Sequence, residues 1–151
     1  MRIDNINKNI LFLLQKDARM TYKEIANELK RSETTIRDRI KAMEREGIIQ
    51  GYTVLIDKTA LGLNFFAMIL VNPINTSGLD SVTEKIKMVK NVLRVYQISG
   101  HHRLAIFMVA SSYKALKEII KTQLLPLGLK DDEIVTVLEA DREFIAPLEI
   151  P

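Results

Sequence analysis

The chain has 151 residues with no cysteine, 47% of them hydrophobic and 27% charged. That is room for two small domains, and it excludes a disulfide framework, a thiolate metal site and a cysteine nucleophile. No apolar run approaches the eighteen or so residues of a membrane span, and the N-terminus has no signal-like apolar core, so a soluble cytoplasmic protein with no membrane partner is expected. The net charge is +3; residues 1–51 carry eleven Lys/Arg against eight Asp/Glu, and the remainder carries eleven of each. The whole excess lies in the first third, which suits contact with a polyanion.

Ile6, Ile10, Leu13 and Leu14 form a helical stripe that Asp4 caps and Asp17-Ala18-Arg19 ends. Thr21-Tyr22-Lys23-Glu24 is a capping box: the Thr21 oxygen accepts from the Glu24 backbone N–H while the Glu24 carboxylate reaches back. It opens a short second helix with Ile25, Ala26 and Leu29 inward. Ser32 caps a third helix running to Glu46, and Gly47 stops it. Residues 48–56 read as a tight turn with a strand on each side. Three helices and a short β-ribbon make a winged helix-turn-helix, although three helices alone would also make a bundle with no nucleic-acid role.

The third helix bears on that choice. With Ile36 at the origin of a helical wheel, Ile40 and Met43 fall within about 40° of it and define a buried stripe. Thr34, Asp38, Lys41 and Arg45 take the opposite face, flanked by Thr35 and Arg37. Slim hydroxyl residues let a helix approach the major groove. Arg and Lys reach guanine or phosphate, and Asp38 can accept from cytosine N4. Arg31, Ser32, Thr34, Thr35, Arg37, Asp38, Lys41 and Arg45 are therefore the expected contacts to double-stranded DNA. Arg39 lies beside the buried stripe and reads better as a tether to its own domain.

Residues 53–64 read as a linker strand and turn between a DNA-binding domain over 1–52 and a second domain over 65–151. Phe65 to Val71 is continuously apolar, a strand covered on both sides, stopped by Asn72-Pro73. Residues 79–91 form an amphipathic helix with Leu79, Val82, Ile86 and Val89 inward. Leu93 to Ser99 and Leu104 to Ala110 are strands about a Gly100-His101-His102 turn. Tyr113, Leu116, Ile119, Ile120 and Leu124 form a helical stripe, and Ile134 to Leu138 is the last strand. The order βαββαβ predicts a ferredoxin-like sheet with both helices on one face, so the class is α+β. The other face is expected to pack on a second subunit.

Glu24-Ile25-Ala26, Ser32, Arg39-Ile40, Glu44, Gly47-Ile48-Ile49, Gly51-Tyr52, Asp57 and Leu61-Gly62, followed by βαββαβ, together resemble the Lrp/AsnC (leucine-responsive, feast/famine) transcription regulators. The likeness runs over essentially the whole chain. It implies an ACT-like second domain (RAM domain), homodimers paired through their sheets, octamers or other rings, and an amino acid or related effector. The effector is implied to bind at the loop between the second and third strands, with Gly100, His101 and Arg103 as contacts and Thr136 on the last strand added to them. That loop commonly reads Gly-x-x-Asp in the family. Here Arg103 holds the acidic position and reverses the local charge, which favours an acidic effector, a site that works through other groups, or no effector, over an ordinary neutral amino acid.

His101 and His102 lack a third ligand nearby and suit zinc poorly, so no metal or cofactor is expected. Some relatives of the family decarboxylate siroheme, with an Arg and a His around a Tyr in the second strand. Tyr96-Gln97-Ile98 does not fit that pattern, and the second domain holds neither a paired carboxylate nor a nucleophile with an adjacent base. The chain is therefore read as a regulator and not an enzyme. The alternatives are a siroheme-decarboxylase-like enzyme on the same scaffold and an architectural DNA-binding protein without an effector.

Overall fold

The computed structural model describes residues 3–75, 78–139, 147–148 and 150. The chain divides into two compact units: among the described residues, the first holds those up to Leu55 together with 147–148 and 150 near the C-terminus, and the second runs from Ile56 to 139. In the first, α1 (Asn5–Lys16), α2 (Tyr22–Leu29) and α3 (Glu33–Arg45) are the three expected helices, each opened by its expected cap. Asp4 accepts from the Asn7 N–H, Thr21 and Glu24 close the capping box, and Ser32 accepts from the Thr35 N–H. Ile10, Ile25, Ile36, Ile40 and Met43 make the core between the helices. The Leu148 N–H donates to Gln15 Oε1 of α1 at 2.8 Å.

The β-ribbon expected over residues 48–56 is not formed; these residues carry no strand. The reason is local. Gly47 adopts φ +71°, and the Ile48 and Ile49 N–H groups both turn back to the Met43 carbonyl. Donors that a ribbon would need instead close the end of α3. Beyond Tyr52 the side chains of Val54 and Leu55 are exposed, at 79% and 62%. A two-stranded ribbon with nothing packed against it is marginal in any case.

The second unit opens with a turn in which Asp57 Oδ1 accepts from the Thr59 and Ala60 N–H groups. It continues as β1 (Phe65–Pro73), α4 (Leu79–Lys87), β2 (Val92–Gln97), β3 (Leu104–Ala110), α5 (Tyr113–Ile119) and β4 (Leu129–Thr136). The sheet is antiparallel with order β2-β3-β1-β4, the expected ferredoxin-like arrangement. Alternate β1 residues Ala67, Ile69 and Val71 are buried with Ile86 of α4 and Leu116 of α5, so both helices cover one face.

Several boundaries differ from expectation, α4 ending at Lys87 rather than at residue 91 among them, and three have a visible physical reason. β1 runs on through Asn72-Pro73 by shifting register after Leu70, which passes the missing proline N–H without breaking the strand. The stripe after Ser112 is one α-helix only to Ile119. It then widens into a π turn over Ile120–Leu124 and tightens to a 3-10 turn over Leu125–Leu127, which holds Pro126. The change keeps Leu116, Ile120 and Leu124 all buried. Finally, β4 starts five residues before the expected Ile134. It is an edge strand, so Lys130 and Glu133 can pair with Asn72 and Leu70 without burying charge on both sides.

Candidate nucleic-acid interface

α3 is sorted as its sequence predicts. Ile36, Ile40 and Met43 are at most 2% exposed, while Thr34, Arg37, Asp38, Lys41 and Arg45 are exposed. The turn from α2 is short because Lys30 takes a left-handed conformation (φ 51°) and the Arg31 N–H returns to the Ala26 carbonyl. Arg31 is exposed, with Nη1 donating to the Lys30 carbonyl at 3.2 Å. Seven of the eight expected contacts, all but half-buried Thr35, thus lie exposed at the start and along the outer side of α3.

Ser32 and Thr35 have local work as well. Ser32 Oγ accepts from the Thr35 N–H at 3.1 Å, and the two hydroxyls lie 2.7 Å apart. They fix the entry of α3 before any ligand arrives. Arg39 is the tether that the wheel suggested: its Nη1 donates to Asp4 Oδ2 at 2.7 Å and Asn7 Oδ1 at 3.0 Å. The Asn7 backbone N–H, then the Arg39 guanidinium, hold the Asp4 carboxyl below its ordinary pKa.

Tyr22, Glu44 and Tyr52 were not among the expected site residues. The Tyr52 hydroxyl donates to Glu44 Oε1 at 2.9 Å, beside a shallow cavity of about 380 Å³ that Leu14, Met20, Tyr22 and Ile40 also line. Burial and the Glu44 carboxylate push the Tyr52 hydroxyl up to about 12. Glu44 and Gly51-Tyr52 stand in the sequence as a motif, but nothing in their spacing shows that the two side chains meet. The guanidinium of Arg37 stands 5.6 Å from the centre of the Tyr22 ring, a contact between α2 and α3 with no periodic signature.

In the second unit Gly100 (φ +120°), His101 and Arg103 share the β2–β3 hairpin loop. Asn72 braces it: its amide donates to the His101 carbonyl at 3.2 Å and its oxygen accepts from the Arg103 N–H at 3.0 Å. His102 Nδ1 lies 3.9 Å from Glu133 Oε2, and the side chain of His102 is only 11% exposed. Thr136 does not join this loop. It pairs with Ala67, whereas the loop adjoins Val71, four residues (about 13 Å) along β1. Pairing also sets Thr136 on the helix-covered face. Among the described residues no group of three or more His, Asp or Glu could hold a metal, and no helix is long and apolar enough to cross a membrane.

A helix-turn-helix with a cationic outer face on α3, followed by an antiparallel βαββαβ unit, defines a DNA-binding transcription regulator. A family model for winged helix-turn-helix DNA-binding matches residues 3–50. LrpA of Pyrococcus horikoshii, a transcriptional regulator, is 37% identical over 124 residues, covering 81% of this chain and 86% of that one. The regulator Ptr1 of Methanocaldococcus jannaschii is 30% identical over 83% of this chain and 84% of its own. The structure of E. coli AsnC matches 97% of this chain and all of that one with TM-score 0.85 at 26% identity. A feast or famine regulatory protein of M. tuberculosis, complexed with L-methionine, shares the fold with TM-score 0.89. The chain belongs to the Lrp/AsnC family of transcription regulators. The relatives it matches are named as transcription regulators, consistent with a non-enzyme.

Proposed function

We propose that the chain acts in the cytoplasm as a homodimer or larger ring that binds specific double-stranded DNA sites through α3. The observation that carries this reading is the division of α3 between a buried Ile36-Ile40-Met43 stripe and an outer face of Thr34, Arg37, Asp38, Lys41 and Arg45. The cations supply phosphate and guanine contacts, and Thr34, Thr35 and Asp38 discriminate among bases. Two copies should read half-sites about 34 Å apart, or a multiple of that. The test is a salt titration of binding to the chain's own promoter region. Affinity should fall steeply between low and moderate salt through counterion release, and binding indifferent to salt would sink the reading.

Self-association is proposed through the open face of the sheet. Phe66, Met68 and Leu70 of β1, Phe107 of β3, Tyr96 of β2 and Val135 of β4 share it by register. The rings form a cluster, Phe66–Phe107 at 6.0 Å and Tyr96–Phe107 at 5.8 Å, and Tyr96 is 48% exposed. Such a patch is apolar enough to need a partner.

An effector, if the chain takes one, is proposed to meet the loop of Gly100, His101 and Arg103. A structural neighbour binds L-methionine. Here the exposed cation of Arg103 favours a second carboxylate on the ligand over a lone α-ammonium. A thermal-shift screen of amino acids and dicarboxylates tests this, because a ligand of the native state raises its melting temperature. Stabilisation by a neutral amino acid that is lost in Arg103→Ala would reverse the preference.

A further inference from the structure

Arg37 stands among the expected DNA contacts, yet in the structure it is already engaged on two sides. Its Nη2 donates to Glu33 Oε1 at 2.7 Å, an i,i+4 pair on the outer side of α3 with both side chains nearly half exposed. Its guanidinium also stands 5.6 Å from the centre of the Tyr22 ring on α2. Glu33 therefore puts a carboxylate at the N-terminal end of the surface that should face a polyanion. An acid in the first turn suits the helix dipole, but any acidic position there could serve that purpose. This one is aimed at a particular guanidinium.

We propose that Glu33 is a positioning residue that sets DNA specificity by withholding Arg37 from phosphate. The proposal rests on the DNA-binding reading above. An exposed ion pair is weak, so a guanine offering O6 and N7 to both prongs of the guanidinium displaces it. A phosphate can also engage both prongs, but it brings a second negative charge up to the carboxylate of Glu33, which a neutral guanine does not. On an arbitrary duplex Arg37 stays with Glu33. On a site with guanine in register Arg37 leaves it, with the Tyr22 ring limiting how far the guanidinium strays.

The experiment compares the full-length wild type, Glu33→Gln, Arg37→Ala and the double variant on two duplexes across a salt series. One duplex is selected from a random pool by the wild type, and the other is its scrambled version. On the scrambled duplex Glu33→Gln frees one more cation for phosphate, so the slope of log affinity against log salt should steepen by about 0.9. On the selected duplex the slope should not change, and the ratio of specific to non-specific affinity should fall. In the Arg37→Ala background the Glu33→Gln effect should vanish. A Glu33→Gln gain that is equal on both duplexes, or that survives without Arg37, overturns the proposal. A wild type without salt dependence overturns the DNA-binding reading beneath it, which separates the two failures.

Discussion

At the scale of single residues, the first unit is held by short polar contacts whose pH dependence can be worked out. The Asp4 carboxyl is lowered by the Asn7 N–H and by Arg39, so its contribution to stability is present above the ordinary aspartate pKa. That contribution is lost as pH falls through the lowered value. Asp4→Asn should therefore melt below the wild type near neutral pH, with the gap closing under acid conditions in pH-resolved thermal unfolding. A gap that stays constant into strong acid would remove the ion pair as its cause. Tyr52 has the opposite sign. Its hydroxyl is raised to about 12, so the neutral form is favoured by folding, and that support fades as pH rises through about 12. The ultraviolet difference spectrum between wild type and Tyr52→Phe should show ionisation near 12; a midpoint near 10 would mean the Glu44 contact does not persist in solution.

At the scale of elements, α3 must be rigid on one side to present the other. Ile40 is 2% exposed between α1 and α2, and Ile40→Ala should cost about 2–5 kcal/mol in denaturant unfolding. Ser32→Ala should cost about 1 kcal/mol by removing the cap. It should also weaken DNA binding, because the first turn of α3 loses its fixed entry; unchanged affinity in a gel-shift titration would confine Ser32 to stability. Both the cap and the stripe are legible in sequence because each depends on neighbours within one or two helical turns. The missing β-ribbon was not legible. Ile48-Ile49-Gln50-Gly51-Tyr52 has the composition of a hairpin, and only the hydrogen bonds from Ile48 and Ile49 to Met43 show that its donors are taken. The early start of β4 was hidden for a related reason, since a charged run at a sheet edge carries no alternation to find.

At the scale of the whole molecule, the open face of the sheet is where the proposed self-association is to be tested. Phe107 sits at its centre, paired across the sheet with Met68 and in ring contact with Phe66 and Tyr96. Phe107→Arg should leave the helix-covered core of Ile69, Ile106 and Leu116 intact while shifting the sedimentation profile toward monomer. A profile unchanged by that charge would place the self-association surface elsewhere. Occupancy of DNA by two half-site readers would be expected to weaken with it.

The amino-acid sequence by itself determined the helices with their caps, the buried stripe of α3, the tethering role of Arg39 and the order βαββαβ. These rest on periodicity and on polar groups satisfied by near neighbours in the chain, except that Arg39 was placed only by its position beside the buried stripe, its partners Asp4 and Asn7 lying more than thirty residues back. Only the tertiary structure decided which polar groups meet across elements. It joined Tyr52 to Glu44 and Arg37 to Tyr22, braced the Gly100–Arg103 loop on Asn72, and carried Thr136 to the far end of the sheet from that loop. Such pairings depend on register and helix packing, where a shift of one residue turns a side chain to the opposite face, and no local spacing encodes them.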